Sequence, residues 1–291
     1  MNMANIIDLP DFMFNYIDRD EFSKIQKIFL FLKGVIVSLF YKVNNKELFS
    51  MLINIFFRSD GKIHVEDNKY CKKLKDDHLI YYPNKRIDRV VVDHQKHFDL
   101  IYKTYCLDKI KFQNGDSIID CGANVGELYY SFKYKNLDVN YLAFEPDKQV
   151  YKSLLKNMAP FSQKTYNLAL SNKEREDTFY LDSLGANSSL VKFENYSDSY
   201  TIKTTKLDSL NLDKIKLFKL EAEGFELEVL EGSVKTLDEV EYVSVDYGPE
   251  RGINSELTIA QVTNFLYKNN FEIIEGSRYR FVGLFKNNKF N

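Results

Sequence analysis

The chain has 291 residues, 44% of them hydrophobic and 28% charged, which is the balance of an ordinary globular protein. A net charge of −2 supplies no general attraction to polyanions, so no nucleic acid partner is expected. Cys71, Cys106 and Cys121 are odd in number and form no C-x-x-C, so neither a disulfide framework nor a cysteine-pair zinc site is indicated, and a reducing cytoplasm fits.

The start, Met1 to Asp11, lacks the basic and apolar regions of a secretory signal. Asp20 reads as a helix cap, after which apolar positions dominate Ile25 to Val43. Within them, the 14 residues Ile28 to Tyr41 are apolar almost all round, interrupted by Lys33 and Gly34. That is short of the roughly 20 residues a membrane-spanning helix needs. Two readings follow: a buried helix packed on the catalytic domain, or a surface helix that makes residues 25–57 a peripheral membrane contact at the inner face. A second apolar helix is expected over Glu47–Phe57, ended by Ser59-Asp60-Gly61. Short strands are expected at Lys62–Glu66, Leu79–Tyr82 and Arg89–Asp93, with turns at Asp67-Asn68 and Pro83-Asn84. Residues 1–94 thus read as an extension of helices and short strands, and residues 95–291 as the main domain. A helix over His97–Leu107 leads into it.

From there, strands and helices alternate. Strand 117–121, helix 125–135, strand 139–145, helix 147–158 and strand 164–170 form a first half. Short antiparallel strands interrupt at Thr178–Leu181, Ser189–Phe193 and Tyr200–Thr205. Strand 215–220, helix 225–236, strand 240–246 and helix 257–269 follow. Phe271–Glu275 and Tyr279–Phe285 close the chain as a hairpin around Gly276-Ser277. Such alternation predicts an α/β fold with a parallel sheet covered on both faces and a C-terminal antiparallel hairpin.

The first parallel strand ends in Asp120, followed by a tight turn with Gly122, Ala123, Asn124 and Gly126. The second ends in Glu145-Pro146-Asp147. Acids at the C-terminal ends of two adjacent parallel strands form a nucleoside site, in which glycines let backbone approach the ligand. The nicotinamide pattern would need glycines at Asn124 and Glu127, so an oxidoreductase is disfavoured. An acid before the first glycine suits a ligand with a cationic amino-acid tail, as in S-adenosylmethionine. Glu145 then offers two oxygens to a ribose diol, Asp147 caps the next helix or touches the cofactor, and Asn167 and Ala169 stand where the adenine lies.

The ordered set D-x-G-A-N-x-G (120–126), F-E-P-D (144–147), N-x-A-L-S (167–171), Ser188-Ser189, L-D-S-L (207–210) and K-x-E-x-E-G-x-E-x-x-V-L-x-G (219–232) resembles the FkbM-type methyltransferase family. The resemblance covers about residues 95–275 and implies a class I, Rossmann-like, S-adenosylmethionine-dependent O-methyltransferase. Its acceptor would be a sugar hydroxyl in a surface glycan or glycan precursor. Methyl transfer to a secondary metabolite and a non-catalytic nucleotide-binding module of the same fold are the alternatives. One departure stands out: the family usually has K-x-D-x-E-G, and here the first acid is Glu221.

A sugar hydroxyl is a weak acid and needs a positioned base or a metal. Glu221, Glu223 and Asp246 stand at the ends of neighbouring strands. Asp246, at the bend before Tyr247-Gly248-Pro249, is the chosen base, with Glu221 and Glu223 orienting the hydroxyl or sharing Mg²⁺. Glu223 alternatively caps the helix that follows, and Glu226, Glu228 and Glu231 read as that helix's solvated face. Cys121 reads as a small buried hydrophobe. His64, His78, His94 and His97 show no metal-ligand spacing with a partner; His94 and His97 could line the acceptor mouth or face solvent. Arg251 could grip an anionic acceptor.

Overall fold

The computed structural model describes residues 23–57, 61–182, 188–194 and 196–290. Asp20 and Ser59-Asp60 lie outside the described residues. The chain divides into two units, Met1–Leu100 and Ile101–Asn291.

In the first unit, α1 (Lys24–Phe40) precedes α2 (Lys46–Phe56). The Asn45 side chain caps α2 by accepting the Leu48 N–H at 2.7 Å. α2 buries Phe49, Ser50 and Ile53. α1 does otherwise: Ile25, Ile28, Leu32, Val35, Ile36 and Leu39 are exposed. Within the first unit, then, most of the described side chains of the apolar run are not buried. An all-round apolar sequence needs neighbours on every side, and α2 meets only part of α1, with Phe40 and Phe56 edge to face at 5.4 Å. No helix among the described residues is long and apolar enough to cross a membrane.

Next, β1 (Ile63–Glu66), β2 (Lys69–Lys73) and β3 (Leu79–Tyr82) form an antiparallel meander. Asp67 and Asn68, at φ of 49° and 57°, make the two-residue turn that joins β1 to β2. The lysines of β2 hid it from the hydropathy pattern; Lys72 is fully buried, with its ammonium on the Val91 carbonyl at 3.0 Å. The expected strand over Arg89–Asp93 is instead part of a short 3₁₀ helix, Lys85–Val90, started by Asn84 accepting the Arg86 N–H. Helix α3 covers His94–Thr104.

The second unit is built on β4 (Ser117–Cys121), α4 (Glu127–Lys133), β5 (Asn140–Phe144), α5 (Lys148–Met158) and β6 (Lys164–Tyr166). A separate small sheet follows, made of β7 (Ala169–Leu170), β8 (Arg175–Leu181) and β9 (Asp198–Thr205). The strand expected over 164–170 is thus split between two sheets, and Ser189 contributes only an isolated bridge to Tyr180. Then come β10 (Ile215–Leu220), α6 (Glu226–Glu231), α7 (Val234–Leu237), β11 (Val240–Asp246), the short β12 (Pro249–Arg251) and β13 (Glu256–Leu257), α8 (Ile259–Lys268), β14 (Phe271–Gly276) and β15 (Val282–Asn287). One helix was expected over 225–236. It breaks at Gly232, where backbone passes so close that a Cβ would stand 1.9 Å from the Ser171 carbonyl oxygen.

The seven-stranded sheet has the order β14-β15-β11-β10-β4-β5-β6. Neighbours from β11 to β6 pair in parallel, and β15 runs antiparallel to both β11 and β14. Consecutive residues such as Ile118 and Ile119, or Leu217 and Phe218, are wholly buried, so both faces of the sheet are covered. Each such side chain contributes about 1.5–3 kcal/mol. The chain leaves β4 toward β5 on one side and later returns to β10 on the other. In open α/β sheets such a topological switch point, here at the C-terminal ends of β4 and β10, is where ligands bind.

Candidate active site

The candidate residues stand at strand ends on both sides of the switch point. After β4, the Gly122 and Ala123 N–H groups both donate to the Phe144 carbonyl at 3.0 Å, tying the turn to the end of β5. Gly122 has φ of 76°, and a Cβ there would stand 2.0 Å from the Glu221 carbonyl oxygen, so only glycine fits.

Glu145 is 7% exposed and anchors this turn. Its Oε2 accepts the Asn124 N–H at 2.9 Å and its Oε1 the Asp147 N–H at 2.8 Å. Each oxygen keeps a lone pair for another donor. Burial pushes the Glu145 carboxyl up to about 8, against the pull of those N–H bonds. Asp147 caps α5, accepting N–H groups from Gln149 at 2.7 Å and Val150 at 2.9 Å. Asn167 is exposed and donates to the Glu145 and Pro146 carbonyls, so it braces the loop carrying Glu145. Ala169 is buried in the small sheet rather than at the end of a strand of the seven-stranded sheet.

Asp120 is 1% exposed, and its charge is taken up inside the protein. Tyr141 donates its hydroxyl to Asp120, and the Lys219 ammonium lies 3.0 Å away. Lys219 also donates to the Gly122 carbonyl at 2.8 Å and sits 3.1 Å from Glu221. This lysine links the cofactor-side turn to the acid cluster. Its sequence signal was a charge inside the apolar run of β10, a position that pays for itself only with buried partners.

The acids beyond β10 and β11 do come together. Glu221 accepts from the Tyr105 hydroxyl and pairs with Arg280 at 2.7 Å. Burial alone would raise its pKa, but Arg280 and Lys219 hold the carboxyl well below the usual range. Arg280 also reaches Asp246 at 2.9 Å and Glu250 at 3.4 Å. Asp246 is 1% exposed; burial, then the charge of Glu221, pushes its carboxyl up to about 7. Glu223 is also raised, by burial and by Glu221, and shares a hydrogen bond with Glu250. Its Oε2 has no hydrogen-bond partner among the described residues. Tyr105, Glu250 and Arg280 carried no sequence signal.

Several expectations change. Glu226 is buried rather than solvated: it accepts the Ala222 and Gly224 N–H groups at 3.0 Å and the Thr258 hydroxyl at 3.1 Å, tying down the loop before α6, whose start has no side-chain cap from Glu223. Ser189 holds that loop from the other side, donating to the Glu223 carbonyl at 2.8 Å. Arg251 is forked onto Glu228 at 2.9 and 2.5 Å, which removes it as a free grip for an anion. Cys121 is buried, and burial pushes its thiol far up, so it is an inert hydrophobe. His94 and His97 belong to the first unit and are buried, not solvent-facing. Mg²⁺ finds no ready cage in the cluster. Among the described residues, only His64, Glu66 and Cys71 bring three His, Cys, Asp or Glu donor atoms within 4.8 Å of one another, and Arg280 stands between the acids.

Residues 120–273 match the Methyltransferase FkbM domain. Over 141 residues the chain is 30% identical to hexuronic acid methyltransferase AglP of Haloferax volcanii, a match covering 46% of this chain and 56% of that protein. The crystal structure of methyltransferase FkbM from Methylobacillus flagellatus KT is similar over 67% of this chain and 55% of that one, with 13% identity and a TM-score of 0.45. A TehB-like SAM-dependent methyltransferase from Corynebacterium glutamicum is similar over 64% of this chain and 88% of that one, with 11% identity and a TM-score of 0.39. The chain thus spans little more than half the length of the first two relatives. The family match opens at Asp120 on β4, closes at Ile273 on β14 and takes in more than half of the chain; this protein belongs to the FkbM methyltransferase domain family.

Proposed function

We propose that the protein transfers a methyl group from S-adenosylmethionine to a hydroxyl of a sugar in a surface glycan or glycan precursor. The observation that carries this reading is Asp246: a buried carboxyl beside Arg280 whose pKa of about 7 suits a base at neutral pH. The relative's name supports a sugar-acid acceptor class.

The residues present fit the cofactor. Glu145 keeps lone pairs for the ribose diol, beside the Gly122–Gly126 turn that would take the methionine part. When bound, S-adenosylmethionine supplies a methyl group on a sulfonium. The protein has to hold an acceptor oxygen in line, about 3–3.5 Å from that methyl, and take its proton. Asp246 takes the proton. Glu221, kept ionised by Arg280 and Lys219, accepts a neighbouring hydroxyl. Glu223 shares a hydrogen bond with Glu250, and its Oε2, unpartnered among the described residues, is left to meet an acceptor hydroxyl. Charge balance in the cluster comes from Arg280, and no step needs Mg²⁺. Transfer of labelled methyl to uronate-containing glycans tests the proposal; no label in any hydroxylated glycan would defeat it.

Glu145 gives a second test. Glu145→Ala should weaken cofactor binding by about 2–4 kcal/mol, roughly 30- to 800-fold, measured by calorimetry on a variant with native circular dichroism. Hydroxyl donors favour the ionised carboxyl, while in the free protein it titrates near 8. Affinity should therefore rise from pH 7 toward 9, by up to about tenfold per unit, and level off above. A flat profile, or unchanged affinity in the variant, removes Glu145 from the ribose.

We also propose that residues 24–57 meet an anionic lipid surface at the inner face of the membrane. α1 and α2 expose Ile25, Leu32, Leu39, Met51 and Ile55 within a segment holding five lysines and one glutamate. Each lysine near such a surface adds about 1 kcal/mol. The protein should co-sediment with phosphatidylglycerol vesicles and not with phosphatidylcholine, and Leu32→Asp/Leu39→Asp should abolish this. Full-length protein that stays in the supernatant with both lipids would refute the contact.

A further inference from the structure

β1 and β2 bring together side chains that lie apart in the sequence. His64 and Glu66 are two residues apart on β1 and share one face of the meander. Cys71 on β2 is the direct cross-strand partner of His64. His64 Nε2 lies 2.8 Å from Cys71 Sγ, and one donor atom from each of His64, Glu66 and Cys71 lies within 4.8 Å of the other two. Tyr81, which pairs with Cys71 from β3, donates its hydroxyl to Glu66 Oε1 at 3.0 Å. Cys71 is buried, Glu66 half-buried and His64 exposed, so the group opens to solvent on the histidine side.

We propose that His64, Glu66 and Cys71 form a binding site for one thiophilic divalent cation of the zinc class. Thiolate, imidazole and carboxylate are the donors zinc takes, at about 2.3 Å for sulfur and about 2.0–2.2 Å for nitrogen and oxygen. Hard ions such as Mg²⁺ and Ca²⁺ avoid thiolate, so the sulfur selects against them. Three protein donors leave the fourth tetrahedral position to water, which suits a group open on one side. The frame is largely set in advance. Only Asp67 and Asn68 separate β1 from β2, and the antiparallel register fixes which side chains face each other. The Tyr81 hydroxyl orients the carboxylate, as outer partners of metal ligands do. On binding, the Cys71 thiol gives its proton to solvent as the sulfur–metal bond forms, so uptake should strengthen as pH rises.

The test is a Co²⁺ titration of the reduced full-length protein, followed by absorption. One equivalent should bind per chain, with thiolate-to-cobalt charge transfer in the near ultraviolet and the visible bands of a four-coordinate ion. Zn²⁺ should displace it. Cys71→Ser should abolish the charge-transfer band. His64→Ala alters an exposed side chain and should weaken Co²⁺ binding at least about tenfold, and Glu66→Gln should weaken it as well. Absence of the charge-transfer band in the unaltered protein, its survival in Cys71→Ser, or a His64→Ala titration matching the unaltered protein would each overturn the site and leave a plain Cys–His contact. Should Cys71→Ser not fold, the His64 and Glu66 variants decide.

Discussion

Asp246→Asn is expected to lower turnover about 10²- to 10⁴-fold, with S-adenosylmethionine affinity held within about twofold. The substitution keeps the shape of the side chain and removes its basicity. The effect should be large because the fold spends several interactions on this one carboxyl. It closes β11, is 1% exposed, and accepts the Gly248 N–H at 3.2 Å through Oδ1, which leaves Oδ2 toward Arg280. Burial and the charge of Glu221 raise it to about 7, while Arg280 keeps it from rising further. The base form is the deprotonated one, so kcat/KM should climb with pH through about 7 and then level off. That limb should vanish in Asp246→Asn. Turnover near the unaltered level, or a pH limb that persists in the variant, would place the base elsewhere.

What the sequence revealed, and what it hid, follows from how each group is recruited. β4, β10 and β11 were legible to the residue because strands buried on both faces read as mainly apolar runs, with an acid at or next to the end of each. Arg280 was not legible. It lies in the loop between β14 and β15, and no spacing relates it to Glu221 or Asp246. Register brings it there: Val282 pairs with Asp246, and the Tyr247 N–H donates to the Phe281 carbonyl at 2.9 Å, which lays the preceding loop over the end of β11. The His64–Cys71 contact is the same kind of event, a cross-strand pairing invisible while β2 itself was unread. α1 shows the opposite failure. Hydropathy suggested burial, but burial depends on what else the chain places nearby, and six large apolar side chains there remain exposed. Glu226 left the solvated face expected of it for a local reason. Glu223 takes a left-handed conformation, with φ of 50°, and it is Glu226 that accepts the Ala222 and Gly224 N–H groups.

Lys219→Met should destabilise the protein by about 3–5 kcal/mol, the cost of leaving buried charge unpaired. Lys219 is 3% exposed, on a strand whose other inward positions are apolar. Burial alone would lower its pKa, but Asp120, Tyr105 and Glu221 hold the ammonium firmly charged. Methionine matches the length of the stem and removes only the cation, so the packing of β10 between β4 and β11 is kept. What is lost is the counter-charge 3.0 Å from Asp120 and 3.1 Å from Glu221, together with the donor to the Gly122 carbonyl. Glu221 retains Arg280; among the described residues Asp120 retains only the Tyr141 hydroxyl. Adding Asp120→Asn to Lys219→Met should therefore recover part of the loss, since it removes the carboxylate left without a counter-ion. Denaturant midpoints of the two variants make the comparison. A loss below about 1 kcal/mol in Lys219→Met, or a double variant no more stable than the single one, would show that Asp120 does not depend on this lysine. The expected pattern would mean that the turn after β4 and the acids beyond β10 and β11 rest on one buried cation, so a change at either end would be felt at the other.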